Sequence, residues 1–245
     1  MFNTPILFQG AYRDGHHLNS KYWQEWKQKL PALPSNLMEI AVGMVLSDAC
    51  MYKVSTHALI KFEQGYLQEE FLLHLFEIFK LYCFMEAPGR RIELRGPRQG
   101  LTKSLWFKTF SHYSFTAIWN LFYTQCEGKV VKTIQKGLIL NHLTPIGLAF
   151  WVMGDGSLQK DRKTMILHTQ SYTELENFIL SEELNAKFGF TTEVELIRHR
   201  MSRPPVIPHK DKYRKPFSRN EIPNFYFDLV KNFRRNPPGI FVKQI

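Results

Sequence analysis

Apolar and polar positions recur along this chain in two runs that follow the same order. Each run begins with an almost wholly apolar stretch of helical length, residues 37–49 and 146–153, and continues with a strand-like segment ending in glutamine. An amphipathic helix pattern follows each glutamine, and a basic alternating stretch comes next. A helix rich in aromatic residues then appears in both runs. The pattern predicts two copies of one helix-and-strand plan.

Local signals predict where several of these helices begin. Ser35 or Asn36 can cap the first apolar helix, and Thr144-Pro145 is a strong start for the second, because proline at the first helical position sacrifices no hydrogen bond. Thr173 and Glu176 have the spacing of a capping box. We expect an N-terminal arm with a short helix over residues 1–33, a first repeat over 34–127, a linker over 128–141 and a second repeat over 142–245.

The net charge of the chain indicates which kind of partner it binds. The 245 residues include 32 Lys and Arg against 22 Asp and Glu, a net charge of +10 that favours a polyanion, with nucleic acid ahead of an anionic membrane surface. The longest apolar stretch, Phe71–Phe84, is interrupted by charges and is too short to span a bilayer. No secretory signal is visible, so export is not expected. Three widely spaced cysteines predict reduced thiols and no structural metal.

Two aspartates stand out against this positive background. Asp48 and Asp155 are placed at the C-terminal ends of the apolar helices, where the macrodipole disfavours a carboxylate by roughly 0.3–1 kcal/mol. Small residues on both helices, Gly43 and Ser47 on the first and Ala149 and Gly154 on the second, permit close packing. This packing would join both carboxylates and nearby backbone oxygens in one pocket suited to Mg²⁺. The candidate metal ligands are Asp48, Asp155, Ser47 and Gly154.

Such a metal would activate water for phosphodiester hydrolysis, and two acids at a tight helix pair would reach both strands across a minor groove roughly 6 Å wide. The sequence therefore favours double-strand DNA cleavage. The spacing of later residues in the two runs also matches when it is counted from the two aspartates. Gln64 follows Asp48 by 16 residues and Gln170 follows Asp155 by 15, while Lys132 and Lys243 follow the same acids by 84 and 88 residues.

The segments 41–49 (AVGMVLSDA) and 148–156 (LAFWVMGDG) resemble the LAGLIDADG motif of the homing endonucleases, in the single-chain branch that carries two motifs. The resemblance covers about residues 21–245. It implies an α+β fold, a pseudo-twofold αββαββα repeat with two saddle-shaped antiparallel sheets on DNA and a central helix pair. It further implies an organellar monomer that cuts a long specific DNA site to leave 3′ overhangs, with Mg²⁺ as cofactor and Mn²⁺ or Ca²⁺ as substitutes for binding.

The resemblance gives the catalytic set as Asp48 and Asp155 with Gln64, Gln170, Lys132 and Lys243 in supporting roles. Either glutamine is alternatively a sheet-face hydrogen bonder, and either lysine a plain phosphate contact. Because two-stranded ribbons fit the major groove, DNA contacts are expected along the basic strands and the proline-rich stretch 203–219. The candidates are Lys61, Arg91, Glu93, Arg95, Arg98, Lys103, Arg162, Lys163, Arg198, Arg200, Lys210, Lys212, Arg214 and Lys215.

Two other functions remain open on the sequence. A group I intron maturase would use the same fold to bind structured RNA, and it would be equally basic. A noncatalytic transcriptional regulator is disfavoured, because it has no need of paired acids at helix ends.

Overall fold

The computed structural model describes residues 15–17, 19–158, 164–196 and 239–244, which fall into two compact units. The first unit contains the described residues up to 33 and residues 49–116. The second contains residues 34–48 and the described residues from 117 onward. Each unit is built around one four-stranded sheet.

The sheet of the first unit is antiparallel throughout and has the strand order β1-β2-β4-β3. Its strands are β1 (Cys50–Val54), β2 (His57–Gly65), β3 (Gly89–Ile92) and β4 (Thr102–Lys108). Helix α1 (Lys21–Lys29) precedes the sheet in the chain, and helix α3 (Glu69–Phe79) lies between two short 3₁₀ turns, Tyr66–Gln68 and Lys80–Tyr82. Helix α4 (Tyr113–Phe122) runs from this unit into the next.

Alternation along the strands explains why this sheet has one buried face. Ile60, Phe62 and Phe107 are fully buried on the side that packs against α3, and the Phe62 ring centroid lies 5.0 Å from that of Phe79. The residues that alternate with these along β2 and β4 point to the opposite face of the sheet, which is polar. The apolar core therefore leaves one face of the sheet available for a charged partner.

The second unit contains both helices that carry the aspartates. They are α2 (Ser35–Leu46) and α6 (Pro145–Asp155), accompanied by α5 (Leu138–His142) and α7 (Glu174–Phe188). A hairpin is formed by β5 (Tyr123–Cys126) and β6 (Lys129–Lys132). The four-stranded sheet has the order β7-β8-β10-β9, with β7 (Gly156–Leu158), β8 (Thr164–His168), β9 (Thr191–Leu196) and β10 (Gly239–Gln244).

This second sheet differs from the expected antiparallel arrangement. β7 and β8 are antiparallel, but β10 runs parallel to both β8 and β9. Parallel neighbours require a long crossover connection, and residues 197–238 separate β9 from β10. The predicted α+β class is confirmed, and the first repeat has the predicted αββαββα order. The aromatic-rich helix predicted in the second repeat, around residues 222–229, lies outside the described residues. In the second sheet, β10 departs from the expected antiparallel pairing.

The predicted helix starts are confirmed in two cases and wrong in one. The Thr144 hydroxyl accepts a 3.2 Å hydrogen bond from the Gly147 amide, and Thr173 with Glu176 forms a complete capping box. Helix α2 instead follows Pro34, with no side-chain cap from Ser35 or Asn36, and ends at Leu46. Pro34 occupies the N-cap position, where its ring restricts φ. Among the described residues, no helix combines the length and the apolar character needed to cross a bilayer.

Candidate functional site

Helices α2 and α6 touch through their backbones at a pair of glycines. A Cβ atom at Gly43 would lie 2.0 Å from the carbonyl oxygen of Gly147, and one at Gly147 would lie 2.8 Å from the carbonyl oxygen of Glu39. No side chain fits into either space. The sequence predicted a close helix pair and named Ala149 and Gly154 as the small residues of the second helix, but it did not name Gly147. The glycines set the distance between the two helices.

This close approach continues to the carboxyl ends of the helices. A Cβ atom at Gly154 would lie 2.5 Å from the Ser47 hydroxyl oxygen and 3.3 Å from Oδ2 of Asp48. The backbone immediately before Asp155 therefore abuts the carboxylate of Asp48. Asp48 is exposed and Asp155 is half-buried, so both are accessible from solvent. The structure brings together the two helix ends that carry the aspartates, as the sequence predicted.

Two side chains from other elements cover the carboxyl end of α2. The Lys132 ammonium, at the end of β6, donates to the carbonyl oxygen of Val45. The Tyr172 hydroxyl donates to the carbonyl oxygen of Leu46 at 2.8 Å, and the ammonium lies 5.3 Å from the centroid of the tyrosine ring. These donors satisfy carbonyls that have no partner within the helix, and the positive charge offsets the negative end of its dipole.

Tyr172 was not singled out by the sequence. Burial raises the pKa of its hydroxyl far above the usual value, and the negative charge of Asp155 raises that pKa further. The hydroxyl therefore stays protonated and remains a hydrogen-bond donor. A signal was nevertheless present, since Tyr172 follows Gln170 by two residues just as Tyr66 follows Gln64.

The glutamine of the second unit is held by a polar chain. The Gln170 amide nitrogen lies 3.0 Å from Nδ1 of His168, whose Nε2 lies 2.8 Å from the Ser157 hydroxyl. Because an amide nitrogen only donates, Nδ1 is the acceptor and the ring proton is on Nε2. This chain fixes the side chain of Gln170. The backbone of Lys243 pairs with His168 in the sheet register, which places this residue on the neighbouring strand.

Gln64 has different surroundings. It lies near the end of β2, opposite Leu105 of β4, and only 6% of its surface is exposed. The supporting roles of Gln64, Gln170, Lys132 and Lys243 stay predictions.

The oxygen donors at the helix ends fit a hard divalent cation. Asp48 and Asp155 provide carboxylates, and Ser47 and Gly154 provide adjacent backbone oxygens. Within the part of the chain that the structure describes, no cluster of three or more histidine, cysteine, aspartate or glutamate side chains is suited to a metal. Two carboxylates with backbone oxygens are a weaker but open ligand set, in which water and phosphate oxygens complete the coordination.

The polar face of the first sheet carries a network of charges centred on Glu63. Arg91 Nε lies 3.1 Å from one carboxylate oxygen, Lys61 contacts the other, and the Ser104 hydroxyl donates at 2.7 Å. Burial raises the pKa of Glu63, but the hydrogen bonds from Lys61 and Ser104 and the positive charges of Lys61 and Arg91 lower it more, so that the pKa lies below its usual value. The glutamate thus contacts two cations on this sheet face, of which Arg91 is exposed and Lys61 is buried. Sequence reasoning found the two cations but missed the carboxylate.

The other predicted DNA contacts of the first unit lie on β4 and in the segment that joins it to β3. The Arg98 guanidinium lies 3.5 Å above the centroid of the Tyr66 ring and donates to the Thr102 carbonyl at 3.1 Å. Lys103 forms an ion pair of 3.6 Å with Glu93. Arg95 is exposed in the loop after β3. The remaining candidates, Arg162, Lys163, Arg198, Arg200, Lys210, Lys212, Arg214 and Lys215, lie outside the described residues.

The sequence of this chain is similar to those of known endonucleases. Residues 38–208 match the model of the LAGLIDADG DNA endonuclease family. A Mycosarcoma maydis protein, named probable intron-encoded DNA endonuclease 3, is 46% identical over 134 residues, which are 55% of this chain and 89% of that protein. Probable intron-encoded endonuclease 1 of Wickerhamomyces canadensis is 26% identical over 79% of this chain and 82% of its own length.

Two further matches concern the maturase function and the fold. The cytochrome b mRNA maturase bI2 of Saccharomyces cerevisiae is 27% identical over 71% of this chain, which covers 43% of that protein. The solved structure of the homing endonuclease I-WcaI bound to its DNA recognition sequence matches with a TM-score of 0.66 over 89% of this chain and 91% of that chain, at 24% identity. The structural likeness confirms the predicted fold class.

Proposed function

Because this chain belongs to the LAGLIDADG DNA endonuclease family, we propose that it is a site-specific homing endonuclease that hydrolyses one phosphodiester in each strand of a long DNA target. The cuts lie across the minor groove and leave 3′ overhangs. The observation that carries the proposal is the contact of Gly154 with Ser47 and Asp48. This contact supports a site in which both acids lie at one end of the helix pair and each serves one strand.

Asp48 and Asp155 would hold a divalent cation, with Mg²⁺ as the working metal and Mn²⁺ or Ca²⁺ as substitutes for binding. When bound, this metal supplies an activated water and offsets the charge that develops on the cleaved phosphate. Lys132 adds a fixed positive charge at the same helix end, since its ammonium is anchored on the Val45 carbonyl. Gln170, oriented by His168, is available to hold a water or a phosphate oxygen.

DNA binding is assigned to the polar face of the first sheet and to the basic residues predicted in the second repeat. Lys61 on β2 and Arg91 on β3 lie on the two strands that flank β4, and the Arg91 side chain is 55% exposed. A two-stranded ribbon of such a sheet fits the major groove, in which arginine recognises guanine by paired hydrogen bonds. We propose that the protein acts as a monomer, because a single chain supplies both aspartates.

The decisive experiment is cleavage of a degenerate duplex library. The purified protein is incubated with the library and Mg²⁺, with EDTA in a parallel reaction, and the broken ends are sequenced. One enriched site with paired 3′ overhangs is the expected result. Absence of metal-dependent breaks at every sequence would refute the proposal.

Variants of the two acids then test the site. Asp48→Asn and Asp155→Asn are nearly isosteric and remove one negative charge each, so either should abolish cleavage or leave only nicking. Affinity for the identified target, measured by fluorescence anisotropy without Mg²⁺, should stay within about twofold of the wild type, since phosphate contacts dominate affinity. Loss of binding together with cleavage would instead indicate a structural role for the aspartates.

Maturase activity is the second candidate, favoured by the similarity to the bI2 maturase. A splicing assay on group I intron RNA tests it, and retention of splicing in Asp48→Asn would separate the two activities.

The relatives named as intron-encoded also lead us to propose an organellar gene, mitochondrial or chloroplast.

A further inference from the structure

Tyr172 joins parts of the site that lie far apart in the chain. It follows β8 in the second half of the sequence, yet its hydroxyl donates to the carbonyl of Leu46, the last residue of α2, at 2.8 Å. Only 5% of the tyrosine is exposed, so water has little access to this hydrogen bond. Leu46 stands two residues before Asp48 in the sequence. A buried hydroxyl from the second repeat therefore contacts the backbone that leads into the first aspartate.

The neighbouring carbonyl has a different donor. Lys132 donates to the Val45 carbonyl, and its ammonium lies 5.3 Å from the Tyr172 ring centroid, so the ring and the carbonyl both lie beside the ammonium. A carbonyl at a helix end without a donor attracts any cation nearby, and leaving a buried hydrogen bond unmade is unfavourable. With the Tyr172 hydroxyl in place, the Leu46 carbonyl has its own donor and does not compete for the ammonium.

We propose that Tyr172 is a positioning residue for Lys132, an inference that rests on the proposed nuclease function. The hydroxyl occupies the Leu46 carbonyl and thereby keeps the ammonium on Val45, where its charge is available to the phosphate. Without the hydroxyl, the ammonium shifts toward Leu46 and its position relative to Asp48 changes. The effect falls on chemistry rather than on DNA affinity, because Tyr172 is buried.

The first repeat offers a matched control. Tyr66 follows Gln64 by two residues, as Tyr172 follows Gln170, but it is 39% exposed and carries the Arg98 guanidinium 3.5 Å above its ring. Phenylalanine preserves a cation–π contact, since the interaction uses the ring face rather than the hydroxyl. Tyr66→Phe and Tyr172→Phe therefore make the same chemical change in two different environments.

The test is a double-mutant cycle on the target identified by the library. Single-turnover cleavage rates with Mg²⁺ are measured for the wild type, Tyr172→Phe, Lys132→Met, the double variant and Tyr66→Phe. Tyr172→Phe should be slower by about tenfold or more, yet should change the rate by less than about twofold in the Lys132→Met background. Tyr66→Phe should stay within about twofold of the wild type. DNA affinity with Ca²⁺ and the melting temperature are measured for every variant to detect misfolding.

The alternatives give different results. An equal loss from Tyr172→Phe in both Lys132 backgrounds, an unchanged rate, or a rate loss matched by weaker DNA binding would each overturn the positioning role. Asp48→Asn is assayed in parallel. A wild type that cuts no duplex, or an Asp48→Asn variant that cuts as fast as the wild type, would overturn the nuclease function itself. The two failures are therefore distinguishable.

Discussion

Substitution of Gly43 by alanine is the most direct test of the helix pair. The new Cβ atom would lie 2.0 Å from the Gly147 carbonyl oxygen, whereas ordinary contact begins at 3.4 Å. The helices must therefore separate by about 1.4 Å at the crossing, because backbone atoms on both sides leave no flexible side chain to move. Overpacking of this kind costs about 1–3 kcal/mol and sometimes more.

The separation of α2 from α6 also changes the geometry around the two aspartates. The carboxyl ends of α2 and α6 move apart with the crossing, so the contact between Gly154 and Asp48 loosens. Since a misplacement of about 1 Å lowers catalytic rates by as much as about a hundredfold, we expect cleavage to fall at least about tenfold. The melting temperature should fall by roughly 2–12 °C, at about 2–4 °C per kcal/mol for a chain of this size.

Thermal unfolding followed by circular dichroism and single-turnover cleavage of the target measure both effects. Gly65→Ala is the control, because a Cβ atom there meets no other atom within 4 Å and the backbone φ is −60°. This variant should behave as the wild type in both assays. A Gly43→Ala protein with wild-type melting temperature and cleavage rate would refute the close helix crossing as the determinant of the site.

Two further predictions concern carboxylates that accept several hydrogen bonds or ion pairs. The pKa of Glu63 is lowered in the folded state, so its stabilising contribution is present above the unfolded-state pKa and is lost as the pH falls through the folded-state pKa. Melting temperatures from pH 7 downward should therefore fall more steeply for the wild type than for Glu63→Gln, and parallel curves would contradict this assignment. Glu183 accepts hydrogen bonds from the amides of Gly137, Ile139 and Leu140 at the start of α5. Glu183→Gln should destabilise the protein by about 1.5–3 kcal/mol in chemical denaturation, whereas the exposed Glu182→Gln should have little effect, and equal values for both would count against the helix-capping role.

Local sequence determined much of this protein. The duplicated order of elements, the Thr144 cap, the capping box at Thr173 and the alternation of β2 all depend on residues close together in the chain, where propensity and periodicity act directly. The paired motifs ending in Asp48 and Asp155 were sufficient to identify the family, because two copies in register are far more specific than one. The start of α2 was missed, since proline there replaced the expected side-chain cap.

Only the tertiary structure decided which atoms meet at the site. Helices α2 and α6 are apolar on nearly every side, so periodicity indicates no preferred face, and the crossing at Gly43 and Gly147 emerges only when the helices pack. Tyr172 looks like an ordinary core aromatic until its hydroxyl meets a carbonyl 126 residues away. Such contacts depend on shape and burial between distant segments, which one-dimensional spacing does not encode. The sequence thus specified the chemical groups, and the packing of the two glycine-bearing helices determined how they face one another.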